Sequence, residues 1–124
     1  MESSREILKQ ANGYFELEMF SQAWEIIESL PPAERTKSDI LELRLRILTG
    51  LSHWQLGEQI AKLLVEAGDS ERKTVARFYH AHARAMWQSG NNGTARKYFR
   101  RAVEAWLEVR REFDDDDLDA LCKE

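Results

Sequence analysis

The chain has 124 residues, of which 43% are hydrophobic and 32% charged, and its formal net charge is −4. This composition supports one compact domain with a charged surface and excludes a globally disordered chain. Cys122 is the only cysteine, so no internal disulfide can form. No apolar run has the roughly 18–20 residues that span a bilayer, and no secretory signal opens the sequence. We therefore expect a cytoplasmic protein without membrane segments.

Two helices are predicted in the first part of the chain. Ser3 and Glu6 have the spacing of a capping box, which predicts a helix that begins there. Apolar residues recur at helical spacing as far as Phe15, and the pattern breaks near Glu18. A second helix follows and must end at Pro31-Pro32, because proline lacks the backbone N–H and restricts the residue before it.

Two further helices are predicted between residues 38 and 68, and both carry leucine or isoleucine at helical spacing. Ser38 or Asp39 can cap the third helix, which should end near Gly50. The fourth helix should end at Gly68, because a glycine in the left-handed conformation often follows the last turn of a helix.

The last third of the chain predicts a fifth and a sixth helix on either side of the clearest turn, Gly90-Asn91-Asn92-Gly93. Asp69 or Ser70 can cap the fifth helix, which extends to about Ser89. The sixth helix is predicted over residues 94–113. Six helices joined by short turns predict antiparallel hairpins.

A small residue follows the turn inside each predicted hairpin. Ala23 and Gly57 are 34 residues apart (57 minus 23), and Ala95 follows Gly57 after 38 (95 minus 57). Two helices that cross closely need small residues where their backbones approach. The residues that align with these positions in the three hairpins are Ile7, Ala11, Tyr14 and Ile27; Leu41, Leu45, Leu48 and Ala61; and Tyr79, Ala83, Met86 and Phe99.

These residues resemble the tetratricopeptide repeat (TPR) family, whose period is 34 residues. The resemblance covers about residues 4–109, and the third hairpin, with Gly90 at its turn, matches best. It implies an all-α fold, namely a right-handed superhelical stack of three antiparallel helix hairpins (a TPR-like α-solenoid). The repeat domain would occupy residues 1–113, followed by an acidic C-terminal tail at 114–124. An irregular six-helix bundle is the alternative architecture.

The resemblance also implies where a partner would bind, because the first helix of each such hairpin lines a concave groove for a peptide segment. The residues predicted to bind a partner are Asn12, Phe15, Arg46, Arg77, His80, Arg84 and Trp87. The last four are spaced by three, four and three residues, so they share one helix face. Their guanidinium, imidazole and indole groups suit an acidic or carboxylate-terminated segment, whereas the alternative is a solvated basic stripe with a packed tryptophan.

We therefore predict a protein–protein interaction module, either an adaptor or a chaperone-like protein. The alternative is a nucleic-acid-binding helical protein, because residues 72–111 contain ten Lys or Arg and two Glu, a local charge near +8. The basic residues of that surface are Arg96, Lys97, Arg100, Arg101, Arg110 and Arg111. The acidic run behind them and the lack of a recognition motif argue against nucleic acid. The apolar ends of a short array and four tryptophans predict a homodimer.

Catalytic chemistry has no support in the sequence, so we expect neither an enzyme nor a bound cofactor or metal. His80 and His82 are two residues apart and point roughly 200° from each other on a helix, so they cannot share an ion. The run Asp114–Asp117 lacks the alternating spacing and glycine of a calcium loop. We predict that this run is solvated and mobile.

Overall fold

The computed structural model describes residues 3–113 and 116–123, and each regular element within these ranges is an α-helix. The helices are α1 (Ser4–Glu16), α2 (Phe20–Glu28), α3 (Ser38–Leu51), α4 (Trp54–Leu64), α5 (Asp69–Gln88), α6 (Asn92–Ala105), α7 (Val109–Phe113) and α8 (Asp116–Lys123). The all-α prediction is confirmed for this part of the chain.

The helices belong to two compact units, Met1–Leu64 with α1–α4 and Val65–Glu124 with α5–α8. In the first unit α1 packs on α2, α3 packs on α4, and α2 also contacts α3. In the second unit α5 and α6 form the most extensive helix pair, and α7 and α8 contact both of them. The boundary between the units falls between the second and third predicted hairpins.

The same backbone turn joins the two helices of each pair. A residue in the left-handed conformation stands at the centre of each turn: Glu18 (φ 59°), Ser52 (φ 58°) and Gly90 (φ 86°). The next residue in each turn donates its N–H to the carbonyl five residues earlier. These bonds run from Met19 to Tyr14 (2.9 Å), from His53 to Leu48 (3.0 Å) and from Asn91 to Met86 (2.8 Å). This is the Schellman pattern, which satisfies carbonyl groups at the end of the first helix.

The turns repeat with the period of the small residues. Ser52 follows Glu18 by 34 positions, and Gly90 follows Ser52 by 38. A small buried residue lies five positions after each of them, at Ala23, Gly57 and Ala95 in turn. The three hairpins thus share one local structure, although only the third has glycine at the left-handed position.

The first unit buries an apolar cluster that α1, α2 and α3 share with the segment after α2. Its buried members are Ala11, Ala23, Ile27, Leu30, Ile40, Leu43 and Ile47. Glu28 on α2 ties this core to α3, because its carboxylate accepts hydrogen bonds from Arg35 and Arg44, each at 2.8 Å. Gly50 on α3 leaves room for the ring of Phe20, since a Cβ atom at position 50 would lie 2.7 Å from three of its ring atoms.

The sixth helix is shorter than the sequence predicts. The prediction of one helix over 94–113 is wrong, because the backbone at Trp106 is extended (φ −157°, ψ 106°) and α7 begins only at Val109. No glycine or proline marks this break. Val109 is fully buried, and the Trp106 ring lies 5.2 Å from Nζ of Lys73 and 5.9 Å from Cζ of Arg77. Tertiary contacts, rather than local propensity, therefore end the helix.

The predicted helix ends are correct in some places and wrong in others. Ser3 does cap α1, since its Oγ accepts a hydrogen bond from the N–H of Glu6 at 3.2 Å. Gly68 does not close the fourth helix: α4 ends at Leu64, and Gly68 is extended (φ 163°) at the N-cap of α5. The N-cap of α3 is Lys37, without a side-chain capping bond, so the predicted caps at 38 and 39 lie one or two residues too late.

The acidic C-terminal run also differs from its prediction. Asp114 and Asp115 lie outside the described residues, but Asp116 and Asp117 are the first residues of α8 and are exposed. Leu118 is fully buried in the second unit. The prediction of a mobile run is therefore wrong at Asp116 and Asp117, because both belong to α8, whose apolar side packs against α5 and α6.

Candidate protein-interaction site on helix α5

Four of the predicted binding residues lie on α5, where the hydrophobic packing of the second unit fixes them. Ala83 on α5 is fully buried against Ala95 and Phe99 of α6. Arg77, His80, Arg84 and Trp87 follow one another along α5 at three- and four-residue steps, and we call them the α5 arginine face.

Arg77 holds the carboxylate of Glu112, which lies on α7. Its Nε donates to Oε2 at 3.0 Å and its Nη2 donates to Oε1, so the pair has the two-pronged geometry that arginine forms with carboxylates. The hydrogen bond from Arg77 lowers the pKa of Glu112 below its usual value, and the nearby charges of Lys73 and His80 act in the same direction. Partial burial opposes this shift without reversing it.

Arg84 binds a second carboxylate, two helical turns further along α5. Its Nη1 lies 3.2 Å from Oδ2 of Asp117 on α8, and its guanidinium carbon lies 4.9 Å from the centroid of the Trp87 ring. This indole in turn packs against the cluster that contains Phe99 and Leu118. Arg84 therefore sits between an aromatic ring and a carboxylate, an arrangement that favours a planar cation.

His80 contributes to this site mainly through packing. It is 9% exposed, and its ring lies edge-on to Phe99 with the centroids 6.2 Å apart. Trp87 is half-buried. The two arginines are thus the members of the α5 arginine face that project furthest towards solvent, with side chains 41% exposed at Arg77 and 37% at Arg84.

The segment that carries these carboxylates is held by apolar and polar contacts together. Leu118 is fully buried and Leu121 is 6% exposed, and their three-residue spacing puts both on one side of α8. Arg96 of α6 donates from Nε to the carbonyl of Leu121 at 2.9 Å, and Arg110 of α7 pairs with Asp119 at 3.1 Å. An acidic amphipathic segment of the chain thus lies on the α5 arginine face.

The other three predicted binding residues lie in the first unit. Asn12 is half-buried on α1. The ring of Phe15 packs against the core of this unit, with its centroid 5.7 Å from that of Phe20. Arg46 on α3 is exposed and pairs with Glu42 one turn earlier at 3.1 Å. Phe15 therefore serves hairpin packing, and Arg46 presents its charge at the surface.

The basic surface of residues 96–111 is engaged within the second unit at several points. Arg96 and Arg110 contact α8, and Arg111 pairs with Glu108 at 3.5 Å. The guanidinium of Arg101 lies over the ring of Tyr98 at 5.2 Å. Arg96, Arg110 and Arg111 thus already have acceptors within the unit.

The sequence suggests that Leu118 and Leu121 cover an exposed end of the array, but it did not predict that acidic and apolar residues of α7 and α8 lie on α5. They are Glu112, Asp117, Leu118, Asp119 and Leu121. Their signal was present in the alternation of carboxylates with leucines three positions apart, which is typical of a short amphipathic helix. The adjoining aspartates obscured it, because a run of like charges usually indicates a solvated segment.

The described residues support neither a metal site nor a membrane-spanning helix. Among residues 3–113 and 116–123, no three His, Cys, Asp or Glu side chains come close enough together to hold a metal ion. No helix in these ranges has the length and apolar content needed to cross a membrane. No protein-family model matches the chain, and comparisons with the curated proteins and with the solved structures find no significant match.

Proposed function

We propose that this chain is a protein–protein interaction module, an adaptor or chaperone-like protein, that binds an acidic or carboxylate-terminated segment of another protein. In this proposal the three hairpins are degenerate tetratricopeptide repeats in a right-handed superhelical stack, and the first helix of each contributes to the binding surface. The repeated turns at Glu18, Ser52 and Gly90, with a small buried residue five positions after each, support the repeat architecture.

One observation carries the functional proposal. Arg77 binds a carboxylate of α7 and Arg84 one of α8, the two helices of the C-terminal segment, so the α5 arginine face has the chemistry to hold an acidic segment. The guanidiniums lie seven residues apart on one helix, a spacing of about 10.5 Å at 1.5 Å per residue, so they select carboxylates at a defined separation. A solvated basic stripe would not impose such a spacing.

Nucleic-acid binding is the weaker candidate. Among its basic residues, Arg96 contacts α8, Arg101 lies over an aromatic ring and Arg111 pairs with a neighbouring carboxylate. The segment that adjoins them is itself acidic, which would repel a phosphate backbone.

Selection from a library of random peptides of about 16 residues tests the proposed function. The immobilised full chain should enrich peptides rich in Asp and Glu. The variant Arg77→Glu with Arg84→Glu should lose that enrichment, because both carboxylate-binding cations are reversed.

The matched control is Arg100→Glu with Arg101→Glu, which makes the same change of net charge on α6. It should enrich the same acidic peptides as the unchanged chain. If the control loses the enrichment and the α5 variant keeps it, the binding surface is the basic surface of α6 and the proposal is wrong.

A further inference from the structure

The C-terminal segment occupies the surface to which the proposed function assigns a partner. Glu112 lies on Arg77 and Asp117 on Arg84, while Leu118 enters the apolar cluster beside Trp87. Every feature that would recognise an acidic partner, two cations and an apolar floor, is therefore already in use within the chain. A partner can reach these groups only if the segment moves away.

We propose that α7 and α8 act as a built-in competitor for the α5 arginine face, and that the partner element is an acidic amphipathic helix that displaces them. This inference rests on the proposed function and adds to it the class of partner and a means of regulation. The partner helix should carry two apolar residues three positions apart with a carboxylate directly before the first, as Asp117, Leu118 and Leu121 do.

The contacts that hold the segment favour exchange. The side chains of Asp117 and Glu112 are 51% and 33% exposed, so water and salt weaken both of their ion pairs. The two helices have only five and eight residues, lengths at which a helix is not stable alone in water. Besides these pairs, the segment is held by the bonds from Arg96 and Arg110 and by a few buried side chains, so it should open more readily than the long packed helices α5 and α6.

A labelled peptide with the sequence of residues 109–124 provides the probe, because it carries the chemistry that the face is seen to hold. It is titrated into the full-length chain and into the variant Leu118→Asp with Leu121→Asp, in which burial of the new carboxylates undocks α8. We expect the variant to bind the peptide at least about tenfold more tightly than the unchanged chain, since α8 no longer covers Arg84 and Trp87.

Two controls make this comparison specific. Leu17→Asp with Leu63→Asp makes the same chemical change at positions 70% and 64% exposed, and it should leave the peptide affinity unchanged. Adding Arg77→Glu and Arg84→Glu to the undocked variant should weaken its binding of the peptide at least about tenfold. Equal affinity of the unchanged chain and the undocked variant would overturn the inference.

Hydrogen exchange on the unchanged chain tests the same idea without undocking. Amides of α8 should exchange faster than those of α6, and higher salt should increase the difference. Exchange of α8 at the rate of α6, independent of salt, would mean a permanently docked helix and would also overturn the inference.

The possible outcomes separate this inference from the proposed function. The unchanged chain could select acidic peptides at the α5 arginine face while the undocked variant gains no affinity for the peptide. In that case α7 and α8 are not a competitor, and the proposed function stands. If neither form binds acidic peptides, both are wrong. If sedimentation shows a dimer that Arg77→Glu with Arg84→Glu dissociates, the occupant is a second copy of the chain, which overturns the single-chain competitor.

Discussion

Two of the three hairpin turns hold a residue with a side chain in a conformation that suits glycine. Glu18 has φ 59° and Ser52 has φ 58°, and both side chains are exposed. The left-handed conformation costs about 1–2 kcal/mol for a residue with a Cβ atom, because Cβ approaches the following carbonyl oxygen. Glycine avoids this cost but loses about 0.5–1 kcal/mol through the greater freedom of the unfolded chain.

The substitutions Glu18→Gly and Ser52→Gly should therefore each stabilise the protein by about 0.5–1 kcal/mol. Thermal unfolding followed by circular dichroism should show each midpoint raised by roughly 2–5 °C. The converse change, Gly90→Ala at φ 86°, should lower the midpoint, because alanine brings the same steric cost into the third turn.

The matched control is Lys9→Gly, at an exposed position inside α1. There the glycine brings no relief from strain, and it should cost about 0.5–1 kcal/mol. If Glu18→Gly and Ser52→Gly lower the midpoint as Lys9→Gly does, the left-handed turns do not exist in solution and the repeated hairpin structure is wrong.

The remaining predictions concern packing, charge and assembly. Gly13→Ala should stabilise α1 by about 0.8–1 kcal/mol, because a Cβ atom there meets nothing within 4 Å. Gly50→Ala should not stabilise the protein, because its Cβ would press on the Phe20 ring. Equal urea midpoints for the two variants would contradict the packing of α2 on α3. Ala95→Leu should overpack the contact between α5 and α6 and cost on the order of 1–3 kcal/mol, and an unchanged denaturation midpoint would show that this contact is wrong. The pKa of Glu112 is lower in the folded chain than its usual value of 4.5. Its pairing with Arg77 therefore stabilises the docked segment above about pH 4.5, and this stabilisation is lost as the pH falls through the lower folded pKa. Hydrogen exchange of α7 should accelerate in that range, and Glu112→Gln should remove this pH dependence. Self-association as a homodimer stays a prediction, and sedimentation that shows only monomer at high micromolar concentration would contradict it.

The sequence was a good guide to the hairpins because their signals are local. Two neighbouring helices pack closely only where small residues stand, here Ala23, Gly57 and Ala95. The repeat spacing of these residues and of the apolar residues around them therefore indicates the hairpins directly. The left-handed turns at Glu18 and Ser52 gave no such signal, because neither position has the glycine or asparagine that usually marks them.

The occupant of the candidate site could not be predicted because it depends on contacts between distant residues. Arg77 and Glu112 are 35 positions apart, and Arg84 and Asp117 are 33 apart. The break at Trp106, which redirects the chain so that these pairs form, occurs without a glycine or proline. Helix spacing identified the α5 arginine face, but only the tertiary structure shows what lies on it.

A charge exchange between Arg77 and Glu112 tests most directly the central claim that the α5 arginine face recognises acidic side chains. Hydrogen exchange of the amides in α7 and α8 is measured in Arg77→Glu, in Glu112→Arg and in the variant that carries both changes. Each single variant places two like charges opposite each other and should lose protection, whereas the double variant restores an opposite pair and should regain most of it. A double variant no better protected than the single ones, or single variants as well protected as the unchanged chain, would contradict the claim.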